Sequence, residues 1–205
     1  MNIAIIGTGN VGGALAEAWA RAGHHILLGV RDTTQFKGQE LLTKFPGIMV
    51  YPLAEAAQAA AVIVLAAVPT ATRSIAEALG DVHDKVIIDA MNTVGPRPEP
   101  YATTTEALQH YTNCPHVVKC FNTTGFENLR NPTYHDEGLD MFVAGDSTRG
   151  KQVATQLARD AGFAECYDFG GNDKLQLLEQ LALSWINLAI MQGHGRDIAF
   201  KLVRR

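Results

Sequence analysis

Apolar positions follow two rhythms along this chain: short unbroken runs, and longer stretches in which they recur at helical spacing. Ile3-Ala4-Ile5-Ile6 is unbroken, which predicts a strand covered on both faces. Val11, Leu15, Ala18, Trp19 and Ala22 then mark a helix that Gly23 ends. The alternation continues with a strand over His25 to Leu28, a helix over Thr34 to Lys44 and a strand over Ile48 to Tyr51. Further strands are predicted at Ala61 to Ala67, Lys85 to Asp89 and His116 to Phe121, with helices at Ala71 to Leu79 and Thr104 to His110 between them. Gly95, Pro96, Pro98 and Pro100 mark the one clear loop, and Ala54 to Ala61 is alanine-rich without a further assignment. Met141 to Ala144, Thr148 to Asp160 and Ala164 to Tyr167 read as one more β-α-β continuation. Past Gly170-Gly171, a helix from about Asp173 to Gln192 is apolar on most of its circumference. The predicted fold is α/β, a Rossmann-like doubly wound parallel sheet with a helical C-terminal tail.

The turn after the first strand reads Gly7-Thr8-Gly9-Asn10-Val11-Gly12, a G-x-G-x-x-G between a strand and a helix. In that context Gly7 makes the tight turn, Gly9 admits the pyrophosphate of a dinucleotide, and Gly12 lets helix and strand pack closely. The free N–H groups of the helix start then face the phosphates. The second strand ends Leu28-Gly29-Val30-Arg31-Asp32, with glycine near the position where NAD enzymes place an acid. Arg31 can pair with a 2′-phosphate, which favours NADP(H) over NAD(H). Asp32 could reach a ribose 2′-hydroxyl, but before Thr33-Thr34 it reads as a helix N-cap. Residues 1–168 are therefore expected to form an NAD(P)-binding Rossmann-like domain, and residues 169–205 a helical segment serving a dimer interface or an acceptor pocket.

Further candidates lie where strands end. Val68 and Pro69 would pack on the adenosine side, while Asn92 and Asn122 could bond the nicotinamide ribose or carboxamide, with Thr70, Asp89 and Met91 nearby. Trp185 and Met191 are candidates to line an acceptor pocket. No metal-ligand spacing or nucleophile elbow is present, and the three cysteines form no C-x-x-C pair. No catalytic side chain and no metal site is assigned. Some hydroxyacid dehydrogenases use a lysine early in a C-terminal helix as general acid, but Lys174 lacks an asparagine one turn on and reads as a surface residue.

With these residues placed, the chain resembles the NADPH-dependent coenzyme F420 reductase family and the oxidoreductase domains of the STEAP metalloreductases. Ile5 to Gly12 is similar to the family's phosphate turn, and Gly29-Val30-Arg31 resembles its Gly-Ser-Arg, with Val30 in place of the serine. Val117 to Thr123 looks like the segment beneath the nicotinamide; the deazaflavin enzymes carry a histidine where this chain reads Phe121-Asn122-Thr123. Gly145-Asp146 and Gln192-Gly193-His194-Gly195 resemble later family turns. The resemblance implies NADP(H) as cofactor and hydride transfer to a planar acceptor such as coenzyme F420 or a flavin. Two alternatives stay open: an imine or hydroxyacid reductase, and an NADP(H)-sensing regulatory protein without turnover.

Composition narrows the setting. Apolar residues make up 47% and charged residues 19% of 205, the balance of a globular chain. A formal net charge of -4 argues against nucleic acid or an anionic membrane as partner. The expected partners are a small-molecule redox acceptor and a second copy of the chain. With no leader pattern and unpaired cysteines, the expected compartment is the cytoplasm.

Overall fold

The computed structural model describes residues 1–95 and 97–205; the expected loop residue Pro96 lies outside them. In chain order the elements are β1 (Asn2–Ile6), α1 (Asn10–Arg21), β2 (His25–Val30), α2 (Glu40–Lys44), β3 (Ile48–Pro52), α3 (Leu53–Ala59), β4 (Val62–Leu65), α4 (Thr72–Ala78), β5 (Val86–Asp89), α5 (Thr104–Tyr111) and β6 (Val117–Cys120). There follow α6 (Phe126–Arg130), β7 (Thr133–Tyr134), β8 (Glu137–Gly138), β9 (Asp140–Ala144), α7 (Thr148–Asp160), β10 (Glu165–Gly170) and α8 (Leu175–Ile186). Eight strands form one sheet in the order β10-β9-β6-β5-β4-β1-β2-β3, and β7 pairs with β8 in a separate hairpin. β3, β2, β1, β4, β5 and β6 are mutually parallel, the arrangement of a doubly wound sheet.

Alternate residues of the central strands serve the two faces. Ile3, Ile5, Val62, Val64, Val86 and Ile88 join the core that α1 and α7 cover. Ala4, Ile6, Ile63, Leu65 and Ile87 join the opposite core with Ala56 and Ala57 of α3, Ile75 of α4 and Leu108 of α5. Continuous apolar runs are thus what two covered faces require. A third cluster seats Leu175 and Leu178 of α8 on Phe142 and Ala144 of β9.

The sheet is not parallel throughout: β9 pairs antiparallel with β6, and β10 follows β9. A parallel return needs a crossover past the sheet. The connection from β6 contains only the five-residue α6 and the small hairpin, so the chain re-enters at the edge it left. The helix expected from Thr34 starts only at Glu40, because Gly38 takes a left-handed conformation (φ 87°) and interrupts the path. Asp32 caps that turn instead: its Oδ1 accepts the Thr34 N–H (2.8 Å), the Thr34 hydroxyl (2.6 Å) and the Gln35 N–H (3.3 Å). The alanine-rich stretch is a helix, α3. The expected long tail helix is a 3-10 turn at Asn172–Lys174, then α8, then a π-helical turn at Asn187–Met191. The expected boundary at 168 falls inside β10. Among the described residues no helix is long and apolar enough to cross a membrane.

Candidate functional site

The residues singled out in the sequence converge on the carboxyl ends of five neighbouring strands. Gly7 to Gly12 follow β1, Val30 and Arg31 end β2, Val68 and Pro69 follow β4, Asn92 follows β5 and Asn122 follows β6. Ordered across the sheet as β2-β1-β4-β5-β6, they span four strand spacings, about 19 Å. The strand order reverses between β1 and β4, the switch point at which open α/β sheets bind ligands.

Each glycine of the turn has its own reason. Gly7 sits at φ 102°, and a Cβ there would lie 2.5 Å from the Ala66 carbonyl oxygen. A Cβ on Gly12 would lie 1.8 Å from the Gly7 carbonyl oxygen. Gly9 differs: its backbone is extended (φ -73°, ψ -162°), open to any residue, and a Cβ there would meet nothing within 4 Å. Neither conformation nor packing asks for glycine at position 9. Val11 is half-buried against the core and serves packing.

A cavity of about 400 Å³ opens beside this turn, lined among others by Thr8, Gly9, Asn10, Lys37 and Arg130. Arg31 is exposed and, among the described residues, has no hydrogen-bond or ion-pair partner. Val30 is buried and closes the end of β2. Asp32 is held below the usual carboxylate range, chiefly by the Thr34 hydroxyl. Lys37 was not singled out from the sequence; it is brought to the turn by the bend at Gly38, whose Cβ position lies 3.5 Å from the Thr8 carbonyl oxygen. Val68 is largely exposed at the cleft, ahead of the turn that starts at Pro69.

At the other end Asn92 and Asn122 hold each other. The Asn92 amide donates to the Asn122 carbonyl (2.9 Å), and the Asn122 amide donates to Asn92 Oδ1 (3.1 Å). Asn122 Oδ1 is buried without a partner in a residue 3% exposed, an acceptor set for a donor that the described chain does not supply. Phe121 just before it has φ 65°, a strained conformation of the kind that collects at ligand sites.

Beneath this pair lies an ionic cluster that local motif reading missed. Lys119 is fully buried, with Nζ 2.9 Å from Asp89 Oδ2 and 2.8 Å from Glu179 Oε1. The Glu179 contact is ionic, off the line of a hydrogen bond. The Lys119 pKa is raised: burial opposes the charge, but the two carboxylates outweigh it. Asp89, one of the strand-end candidates, faces inward here, and Glu179 arrives on α8. Their separation in the chain left only one signal, a glutamate within an otherwise apolar tail helix.

The two tail candidates are placed differently from each other. Trp185 is buried, its Nε1 donating to the Ile198 carbonyl (2.6 Å), and Met191 is exposed. Arg196 grips Glu127 and lies over the Phe126 and Trp185 rings, clasping the tail to α6. Among the described residues no group of three or more His, Cys, Asp or Glu could hold a metal ion.

Residues 2–93 match a family model described as NADP oxidoreductase, coenzyme F420-dependent. A candidate F420-dependent NADP reductase from Arthrobacter sp. FB24 is 26% identical, covers each chain completely and superposes with a TM-score of 0.86. A hypothetical protein from Sinorhizobium meliloti (24% identity, all of this chain and 96% of that one, TM-score 0.74) shares the fold. So does an imine reductase from Streptomyces aurantiacus (16% identity, 94% of this chain and 64% of that one, TM-score 0.67). No curated protein sequence matches the chain. Residues 2–93, which carry the phosphate turn, are thus similar to the coenzyme F420-dependent NADP oxidoreductases.

Proposed function

We propose that this protein is an NADP(H)-dependent oxidoreductase that moves a hydride between nicotinamide and a planar acceptor, coenzyme F420 or a flavin. The observation that carries the reading is Gly9. A turn whose fold demands glycine at two positions keeps a third that only an approaching ligand explains. The pyrophosphate would rest there on the first N–H groups of α1. Arg31 and Lys37 would hold the 2′-phosphate, Thr8 beside them, and Val68 and Pro69 would cover the adenosine side. Asn122 Oδ1 would accept from the carboxamide, with Asn92 fixing its orientation.

When bound, NADPH supplies the hydride; the chain supplies position and electrostatics. Asn92, Asn122 and the backbone beside them fix the ring so that donor and acceptor atoms can align. Solvent can protonate the acceptor, so no side chain need act as an acid. The acceptor would dock between these asparagines and the tail, and the exposed apolar residues of the tail would pair two copies into a homodimer.

The test is a screen of NADPH oxidation against F420, FMN, FAD, ferric chelates and cyclic imines. Turnover with F420 or a flavin is expected. Turnover with cyclic imines alone would move the protein to the imine reductases, and tight NADPH binding with no turnover would make it a sensor.

A further inference from the structure

Below the proposed nicotinamide position the interior holds two carboxylates against one ammonium. Lys119 directs its N–H groups at Asp89 Oδ2, the Met91 carbonyl (3.0 Å) and the Thr104 hydroxyl (3.3 Å), with Glu179 Oε1 2.8 Å away. Asp89 Oδ2 also accepts the hydroxyls of Thr104 (2.5 Å) and Thr105 (2.7 Å), and its Oδ1 accepts the Met91 N–H (3.0 Å). Glu179 Oε2 accepts the Thr93 N–H (3.0 Å). Three of the four carboxylate oxygens accept hydrogen bonds and the fourth, Glu179 Oε1, lies against the Lys119 ammonium, so two carboxylates share one cation and the cluster carries one negative charge in excess.

Such a charge is costly in an interior unless something offsets it. The cluster grips Met91 and Thr93 on either side of Asn92, so it lies directly behind the Asn92–Asn122 pair and its unpartnered oxygen. Lys119 and Asp89 have no exposed surface, and Glu179 alone retains some, at 7%. The carboxylate is therefore the member of the cluster nearest solvent.

We infer that the Lys119–Asp89–Glu179 cluster is a counter-charge for oxidised nicotinamide. It favours NADP⁺ over NADPH relative to an uncharged cradle, and makes the bound reduced cofactor the stronger hydride donor. When the C4–H bond of the reduced ring breaks, the hydrogen and both electrons pass to the planar acceptor, and a solvent proton completes the acceptor's reduction. The ring is left with a positive charge, which the excess carboxylate offsets. The inference rests on the reading of this strand edge as the nicotinamide site. Glu179 acts through the field and through the Thr93 backbone, so it is a positioning residue.

The experiment is equilibrium titration of NADP⁺ and of NADPH into the whole chain, with no acceptor present. Glu179→Gln removes the charge at constant shape and is expected to lower NADP⁺ affinity relative to NADPH roughly tenfold. Glu179→Asp keeps the charge while shortening the reach to Thr93, and its ratio should stay near the wild-type value even if both affinities drop. A purely structural role would weaken both forms equally. Equal losses in Glu179→Gln, or an unmoved ratio, overturn the inference and leave the cofactor reading standing. A wild-type protein that binds neither form overturns both. Should Glu179→Gln not fold, Asp89→Asn removes the other negative charge and must move the ratio the same way.

Discussion

A methyl group on Gly12 would press to 1.8 Å of the Gly7 carbonyl oxygen, whereas one on Gly9 would enter empty space. The two positions should therefore separate folding from binding. Gly9→Val is expected to leave thermal stability near that of the wild type while abolishing NADPH binding, whereas Gly12→Ala should lower stability by about 1–3 kcal/mol through overpacking. A Gly9→Val protein that binds NADPH at wild-type strength would show that the turn is not the phosphate site. Arg31 makes a second contrast, since among the described residues it has no partner at the end of β2 while Asp32 is engaged in its own turn. Arg31→Ala should weaken NADPH binding by about 2–3 kcal/mol, roughly 30- to 150-fold, and change NADH binding little. Equal losses for both cofactors in titration would remove the 2′-phosphate assignment. Lys174, weighed above as a general acid, and His194, the one histidine of the tail, are the tail groups to test as proton donors. Lys174 is bound to its neighbour Asp173, and His194 is exposed. Lys174→Ala and His194→Ala are each expected to cost no more than about tenfold in turnover, short of the 10²–10⁴-fold of a lost general acid. A loss above a hundredfold at saturating cofactor and acceptor would bring the imine or hydroxyacid reductase reading forward. At this scale the sequence was informative where chemistry is local. The spacing of Gly7, Gly9 and Gly12 and the place of Arg31 can be read in a short window, whereas Lys37 reaches the turn only because Gly38 bends the chain.

Elements were legible in proportion to their length and periodicity. β1, α1, α5 and α7 stand close to where their patterns place them, while α6 and the β7–β8 hairpin are too short to carry a period. The direction of β9 could not be read either, because an apolar run looks the same whichever way the strand lies. The Lys119 cluster was hidden for a related reason: β5, β6 and α8 each contribute one charge, and only the sheet order and the seating of α8 on β9 join them. The cluster also ties the tail to the sheet electrostatically. Lys119→Met would leave Asp89 and Glu179 without their shared cation, and the expected loss is about 3–5 kcal/mol in urea unfolding. The pH dependence has a definite sign. The folded-state pKa of Lys119 is raised, so its contribution is complete below the ordinary lysine range and is lost as pH rises through the raised value. On alkaline titration the wild type should lose stability that Lys119→Met has already lost, so the two unfolding curves should converge. Parallel curves throughout would mean that the ammonium is not what holds the cluster.

At the scale of the whole molecule, the tail presents apolar side chains to a partner surface. Leu175 and Leu178 are committed to β9, but Leu177, Ile190 and Met191 are more than half exposed. Burying a large apolar side chain is favourable by about 1.5–3 kcal/mol, so three of them together offer a substantial drive toward association. A net charge of -4 over 205 residues is too small to oppose contact between copies. In a two-fold pairing the same patch meets itself, so each apolar residue counts twice and a charge placed there meets a like charge. We expect light scattering to give twice the chain mass for the wild type. Leu177→Asp combined with Ile190→Asp should give a monomer with its melting temperature lowered but its NADPH binding intact, because the phosphate turn lies within residues 7–12 of the same chain. Removing the chain from Asp173 onward is a harsher change. It strips Glu179 from Lys119 and uncovers Phe142, so insoluble protein or an inactive monomer is expected. A wild type that stays monomeric at all concentrations would sink the dimer. A truncated chain that remains soluble and active would show that the tail neither completes the charge cluster in a way that catalysis needs nor forms the acceptor's dock.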